Sequence, residues 1–136
     1  MHNRDILVDG IEKLALILAK LMGFKKAGKA NEFTQLAENT MLKEYGISLP
    51  GLLDLSLKEF EAWLCKENYS ADKLDALAKL LYLNSEPFTT SVETRLSLQK
   101  TLFIFDLLEQ RHHWQSFENI NKRNHIYQFL KNNYEL

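Results

Sequence analysis

The sequence predicts an all-α domain of about six helices, paired as three antiparallel hairpins. Three observations lead there. No segment sustains period-two alternation between turn signals, so no sheet is expected. Apolar residues recur instead at helical spacing in successive stretches joined by short links. Residues 91–114, finally, are apolar on most sides. Val92, Leu96, Phe103 and Leu107 lie on one side, with Leu98, Leu102 and Phe105 beside them. Ile104 and Leu108 widen that sector until only Asp106 interrupts it between Leu102 and Leu108. Such a helix has to be covered on several sides, which makes it the central helix of the fold.

The elements follow in order. Asn3 or Asp5 starts a first helix that stops near Gly23 to Gly28, with Lys25 and Lys26 complementing the dipole in its last turn. Its stripe is Leu7, Ile11, Leu14, Leu18, Leu21 and Met22, extended by Ile6, Ile17 and Phe24 on one side and Val8, Ala15 and Ala19 on the other. Gly28 marks a tight turn. The spacing predicts a second helix over 31–45, with Phe33, Leu36, Ala37, Thr40 and Met41 inward and Gly46 as its left-handed terminator. The short link makes these two helices antiparallel neighbours.

Residues 47–55 read as an irregular stretch with a Pro50-Gly51 turn, pinned to the core by Leu49, Leu52, Leu53 and Leu55. Ser56 and Glu59 form a capping-box pattern that opens a short third helix, to about Lys66, with Leu57, Phe60, Trp63 and Leu64 inward. Ser70 caps a fourth helix with stripe Leu74, Leu77, Ala78 and Leu81, ended before Pro87. Thr90 and Glu93 repeat the capping-box pattern ahead of the central helix, which fades near His112 to Trp114. Ser116 caps the last helix, to about Asn132, with Phe117, Ile120, Tyr127 and Leu130 inward and Ile126 and Tyr134 nearby.

Composition bounds the function class. With 136 residues a single domain, 1–136, is expected, large enough to fold without disulfide or metal. The formal net charge of −1 gives no global pull toward nucleic acid or an anionic membrane. A lone cysteine, Cys65, suits a reducing compartment. Asp5, Asp9 and Glu12 argue against a signal peptide, and charges interrupt the apolar run 6–24 before it reaches a spanning length. A soluble, cytoplasmic protein is expected, with no membrane association.

Three helix pairs of 30–40 residues have the size of helical-repeat units. Gly28 followed by Phe33 and Ala37 fits the second helix of a tetratricopeptide repeat in shape, so the expectation is a tetratricopeptide-like array or a compact helical bundle. A resemblance covers most of the chain. The run Arg4-Asp5-Ile6-Leu7, Ile11-Glu12-Lys13-Leu14 and residues 18–29 resembles the opening of small bacterial helical proteins grouped as a domain of unknown function and often labelled tetratricopeptide-like. Residues 55–60, residues 73–78 and Ser116-Phe117-Glu118 look similar too. The resemblance implies an all-helical fold. It implies no activity and brings no catalytic residues.

The search for chemistry gives no catalytic residue, no metal site and no cofactor. His112 and His113 are adjacent, about 100° apart on a helix, whereas ligands on one face want spacing of three or four; His125 lies on the next helix. They read as polar cations at a helix C-terminus. Cys65 has no nearby base in sequence and reads as a structural thiol. Glu59, Glu61, Asp72 and Asp75 read as helix-surface and first-turn charges. Lys20, Lys25, Lys26 and Lys29 form one basic cluster and Arg111, Lys122, Arg123 and Lys131 a looser one; both read as solvated faces, so nucleic acid is an unfavoured partner.

What remains is the broad apolar arc of the first helix. Part of it, around Ile6, Leu16, Ile17 and Phe24, is the candidate interface with another chain. The function expected is therefore a non-enzymatic interaction or scaffold protein that binds a protein or peptide partner, with a homodimer as one form of that association. The alternatives are an enzyme whose site assembles only in three dimensions, for which a deep pocket around His113, His125 or paired carboxylates is required, and a weak nucleic-acid binder that works through the basic clusters.

Overall fold

A computed structural model describes residues 2–134, with side chains from residue 10 onward. Every regular element among the described residues is helical. The elements are α1 (His2–Lys26), α2 (Ala30–Thr40), α3 (Leu49–Asp54), α4 (Leu57–Glu67), α5 (Ala71–Ser85), α6 (Val92–His112) and α7 (Phe117–Tyr134), with a π-helical turn (Met41–Tyr45) closing α2. The chain divides into two compact units, Met1–Lys66 and Glu67–Leu136.

In the first unit α1 and α2 form an antiparallel hairpin. The Lys25 ammonium sits over the Phe33 ring at 4.6 Å near the link, and Lys13 pairs with Glu44 at 3.7 Å at the far end. Gly28, at φ 71°, makes the turn between them. Phe33, Ala37, Met41 and Tyr45 are all buried and lie four residues apart. Each such step overshoots a full α-helical turn by about 40°. The wider π turn takes up the excess and keeps Tyr45 inward. Gly46, at φ 68°, then ends the segment.

Residues 47–55 are not irregular as expected, because α3 occupies them. Ser48 is the N-cap, its hydroxyl accepting from the Gly51 N–H at 3.0 Å, and Pro50 lies in the first turn, where a missing N–H costs nothing. A Cβ at Gly51 would come within 2.9 Å of that hydroxyl, so the glycine serves the cap. The Ser56–Glu59 capping box forms as expected. Ser56 N–H donates to the Glu59 carboxylate at 2.9 Å, and Glu59 N–H to the Ser56 hydroxyl at 3.1 Å. The Ser56 backbone N–H first, and the Ser56 hydroxyl second, hold the Glu59 carboxyl below its ordinary range. Phe60 and Leu64 are buried and Trp63 half-buried, but Leu57, expected inward, is exposed.

In the second unit α5, α6 and α7 run up, down and up. Contacts between α5 and α7 run the same way along both helices: Asp75 and Lys79 meet Asn119 and Glu118 in the first turn of α7, and Tyr82, further along α5, meets His125, further along α7. Contacts between α6 and α7 run oppositely, with Glu109 on Arg123 and Arg95 over the Tyr134 ring. The central helix is thus flanked by its chain neighbours, and Ile104, Phe105 and Leu108 are buried within it. The expected six helices in three pairs give way, among the described residues, to seven α-helices, of which the last three form one set.

Two helices are rotated from their apolar wheels. On α6 the buried stripe runs Thr94, Ser97, Leu98, Thr101, Ile104, Phe105 and Leu108, with Lys100 buried beside it, while Val92 is 63% exposed. The hydroxyls of Thr101 and Ser97 are satisfied within α6 and from α5 respectively: Thr101 donates to the Ser97 carbonyl at 2.8 Å, and the Asn84 amide of α5 donates to the Ser97 hydroxyl at 3.5 Å. Small residues at these positions let α5, with its buried Ala78 and Ser85, come close. On α7 the buried residues are Asn119, Ile126 and Leu130, while Phe117 is 86% exposed and Tyr127 is exposed as well.

The N-cap of α6 is Ser91, one residue later than expected, and its hydroxyl accepts from the Thr94 N–H at 3.1 Å. Replacing Ser91 by alanine is expected to cost about 1 kcal/mol, and Thr90→Ala much less. Urea unfolding of the two variants side by side checks the assignment. At the other end His113 takes φ 51° and the Trp114 N–H donates back to the Leu108 carbonyl at 3.0 Å, closing the helix.

Candidate functional site

Two features of the described residues qualify for a closer look: a polar array that joins α5 to α7, and the outer face of α1.

The array begins with Asp75, which is buried near the start of α5. It accepts from the Asn119 amide at 2.7 Å and from the Lys79 ammonium at 2.9 Å. Lys79 reaches on to Glu118 at 3.6 Å, and Glu118 takes Lys122 at 2.7 Å. Lys122 lies over the Tyr82 ring at 5.4 Å, and the Tyr82 hydroxyl meets His125 Nδ1 at 2.7 Å. Phe88 stacks on the His125 ring at 4.7 Å and meets Phe129 edge-on at 5.3 Å. A neighbouring tie joins α7 to α6, where Arg123 holds Glu109 at 2.8 Å and Asp106 at 3.2 Å.

The electrostatics of the array favour cohesion over catalysis. Two carboxylates and two ammonium groups alternate, so each charge is compensated. Burial works against the Lys79 ammonium, but the hydrogen bond and charge of Asp75, with Glu118 behind them, outweigh it and raise its pKa. The hydrogen bond from Lys122 is the main cause that lowers Glu118. Burial, aided by the charge of Glu86, pushes the Tyr82 hydroxyl up to about 12. General acid–base work near neutrality needs a group poised near the working pH, and all three shifts move away from it.

These shifts set a pH dependence. A tyrosine whose folded pKa is raised contributes stability that is present below its unfolded value, about 10, and is lost as pH rises through the folded one. For Tyr82 the window runs up to about 12. Tyr82→Phe is expected to flatten the alkaline limb of the stability curve, as read by urea unfolding at a series of alkaline pH values.

Beside Arg123 lies a cavity of about 10 Å³, lined by Phe105, Glu109, Trp114, Gln115, Asn119, Ile120 and Arg123. It has room for a group the size of one water molecule, not for an organic ligand. Asn119 Oδ1 and Arg123 Nε have no hydrogen-bond partner among the described residues.

The residues weighed for chemistry are dispersed. His112 and His113 form the end of α6, whereas His125 is taken up by Tyr82 and Phe88 in the middle of α7. Among the described residues no group of three His, Cys, Asp or Glu side chains is placed to hold a metal. Cys65 is exposed on α4. Lys122 and Arg123, from the looser basic cluster, are occupied by carboxylates. No helix among the described residues is long and apolar enough to cross a membrane.

The outer face of α1 is the second feature. Of the residues singled out for an interface, the Ile6 side chain lies outside the described residues, Leu16 is 67% exposed, and Ile17 and Phe24 are half-buried. Leu14 and Leu21 are buried. A different stripe is left in solvent: Ile11, Ala15, Ala19 and Met22 are exposed, with the half-buried Leu18 among them. These five positions fall within one narrow sector, since 11, 15, 18, 19 and 22 follow helical spacing. The sequence holds this stripe in plain view, but only packing reveals which part of the apolar arc α2 leaves uncovered. The Asp75–Asn119 link left no sequence signal, because neither residue carries periodicity.

Comparison with protein-family models, curated proteins and solved structures finds no match to this chain.

Proposed function

We propose that the chain is a non-enzymatic interaction protein that binds a protein or peptide partner through the outer face of α1. The observation that carries the reading is the stripe Ile11, Ala15, Leu18, Ala19 and Met22, apolar and largely exposed on a helix whose opposite side is already buried. An apolar helix face of this kind is suited to another helix or to an apolar groove. The compensated charges of the α5–α7 array support the same reading, because they give that unit a cohesive role. A cytoplasmic location, a tetratricopeptide-like use of the helical hairpin and kinship with small bacterial helical proteins are parts of this proposal.

The test is affinity capture from native lysate with the wild-type chain and with the Ala15→Glu, Met22→Glu double variant, the two matched for helicity by circular dichroism. A partner held by the wild type and lost from the variant is expected. Equal capture by both would remove the face from consideration.

A further inference from the structure

We propose that the cavity beside Arg123 is a binding site for a single internal water molecule, which joins Asn119 to Arg123 and so links α5, α6 and α7 in one continuous polar network. The site lies entirely within the second unit.

The first argument is the pair of polar atoms left over there. Asn119 is 6% exposed, and its Nδ2 donates to the Asp75 carboxylate at 2.7 Å. A carboxylate only accepts, so turning the amide over would set oxygen against oxygen. Oδ1 is therefore the free atom of this side chain, buried and in need of a donor. The Arg123 guanidinium is engaged in the same partial way. Its Nη1 holds Glu109 at 2.8 Å and its Nη2 holds Asp106 at 3.2 Å. That leaves the buried Nε–H in need of an acceptor. Asn119 and Arg123 stand one turn apart on α7, and both line the cavity. Buried groups of this kind are satisfied as a rule, by protein or by ordered water.

The second argument is what the cavity admits. Its volume of about 10 Å³ suits one water-sized group. The occupant has to accept from Arg123 and donate to Asn119 at once. A halide cannot donate, and it would face the Asn119 carbonyl and the Glu109 carboxylate, which lines the same wall. A metal ion or ammonium cannot accept, and it would face the guanidinium. Water does both. It needs two to four polar partners, and two are already in place.

With this water the Asp75–Asn119 pair runs on through Arg123 to Glu109 and Asp106. The α5–α7 array and the α6–α7 tie become a single network, closed at the end of the unit where α6 gives way to α7.

The test is a crystal structure of the full chain with ordered solvent resolved, from crystals soaked in sodium bromide and, separately, in rubidium chloride. One water within about 3.2 Å of both Asn119 Oδ1 and Arg123 Nε is expected, with no anomalous peak at the site. A dry cavity, a direct bond between the two atoms, or a bromide or rubidium peak overturns the proposal. In solution, oxygen-17 magnetic relaxation dispersion counts long-lived internal waters. Asn119→Leu lacks the acceptor, and Arg123→Met keeps an unbranched stem but lacks the Nε–H. Each, matched to the wild type in helicity, is expected to lower the count by about one water per chain. An unchanged count in either folded variant overturns the site. If one variant fails to fold, the other and the wild-type crystals still decide.

Discussion

Phe105→Ala is expected to cost about 3–5 kcal/mol, the range for truncating a buried aromatic side chain. Phe105 is 2% exposed on the central helix, with the Arg123 guanidinium over its ring at 6.0 Å. Its ring also lines the small cavity beside Asn119 and Arg123, so truncation enlarges a void that is already present. Set against a net stability of about 5–15 kcal/mol for a typical domain, that loss is a large share of the whole. Phe117→Ala, on the same unit, is expected to shift stability by no more than about 0.5 kcal/mol, because its ring is 86% exposed. Urea unfolding followed by tryptophan fluorescence compares the two. Equal effects would mean that α7 does not present the face described.

Asn119→Asp carries the second large effect and depends on pH. The Asn119 amide donates to a carboxylate oxygen of the buried Asp75 at 2.7 Å. Aspartate there sets two carboxylates against each other, and they cannot both ionise cheaply. The new carboxyl is therefore forced above its unfolded pKa. A group raised in the folded state contributes its stability below the unfolded value and loses it as pH rises through the folded one. The deficit relative to wild type is accordingly small near pH 4 and grows toward neutrality, reaching about 3–5 kcal/mol for an uncompensated buried charge. Lys79, at 2.9 Å from Asp75, offsets part of it. Asn119→Leu removes the bond without adding a charge and is expected to cost about 2 kcal/mol, with little further pH dependence of its own. Parallel denaturation curves of both variants and the wild type, at acid and at neutral pH, separate charge from lost hydrogen bonding.

Much of the local structure was legible in residue order. Ser56 with Glu59, Ser70 and Ser116 announced their helices because a cap is a contact between residues three apart. Gly46 announced a left-handed stop for the same local reason. Errors arose where a local rule had two readings. Pro50-Gly51 reads as a turn, yet Pro also fits a helix's first turn, and Ser48 decided in favour of α3. Thr90 with Glu93 reads as a capping box, yet the chain uses Ser91, one residue on, as the cap.

Taken alone, the sequence determined that the chain is helical, roughly where each helix other than α3 begins and ends, and that Ile104, Phe105 and Leu108 would be sheltered, although Asp106 is exposed and Leu102, Phe103 and Leu107 are only half-buried. Those properties come from periodicity and capping, which act over one or two turns. Tertiary structure alone decided how each helix is rotated about its axis. A wheel ranks faces by apolarity, but α6 turns Ser97 and Thr101 inward, where Thr101 bonds to its own backbone, Ser97 accepts from Asn84 of α5, and the small size of both lets α5 approach closely. It turns Asn119 of α7 inward because Asp75, far away in sequence, needs a donor. It also decided which arc of α1 stays wet. That choice depends on which side α2 covers, and the apolar residues of α1, spread around most of its circumference, could not express the preference themselves.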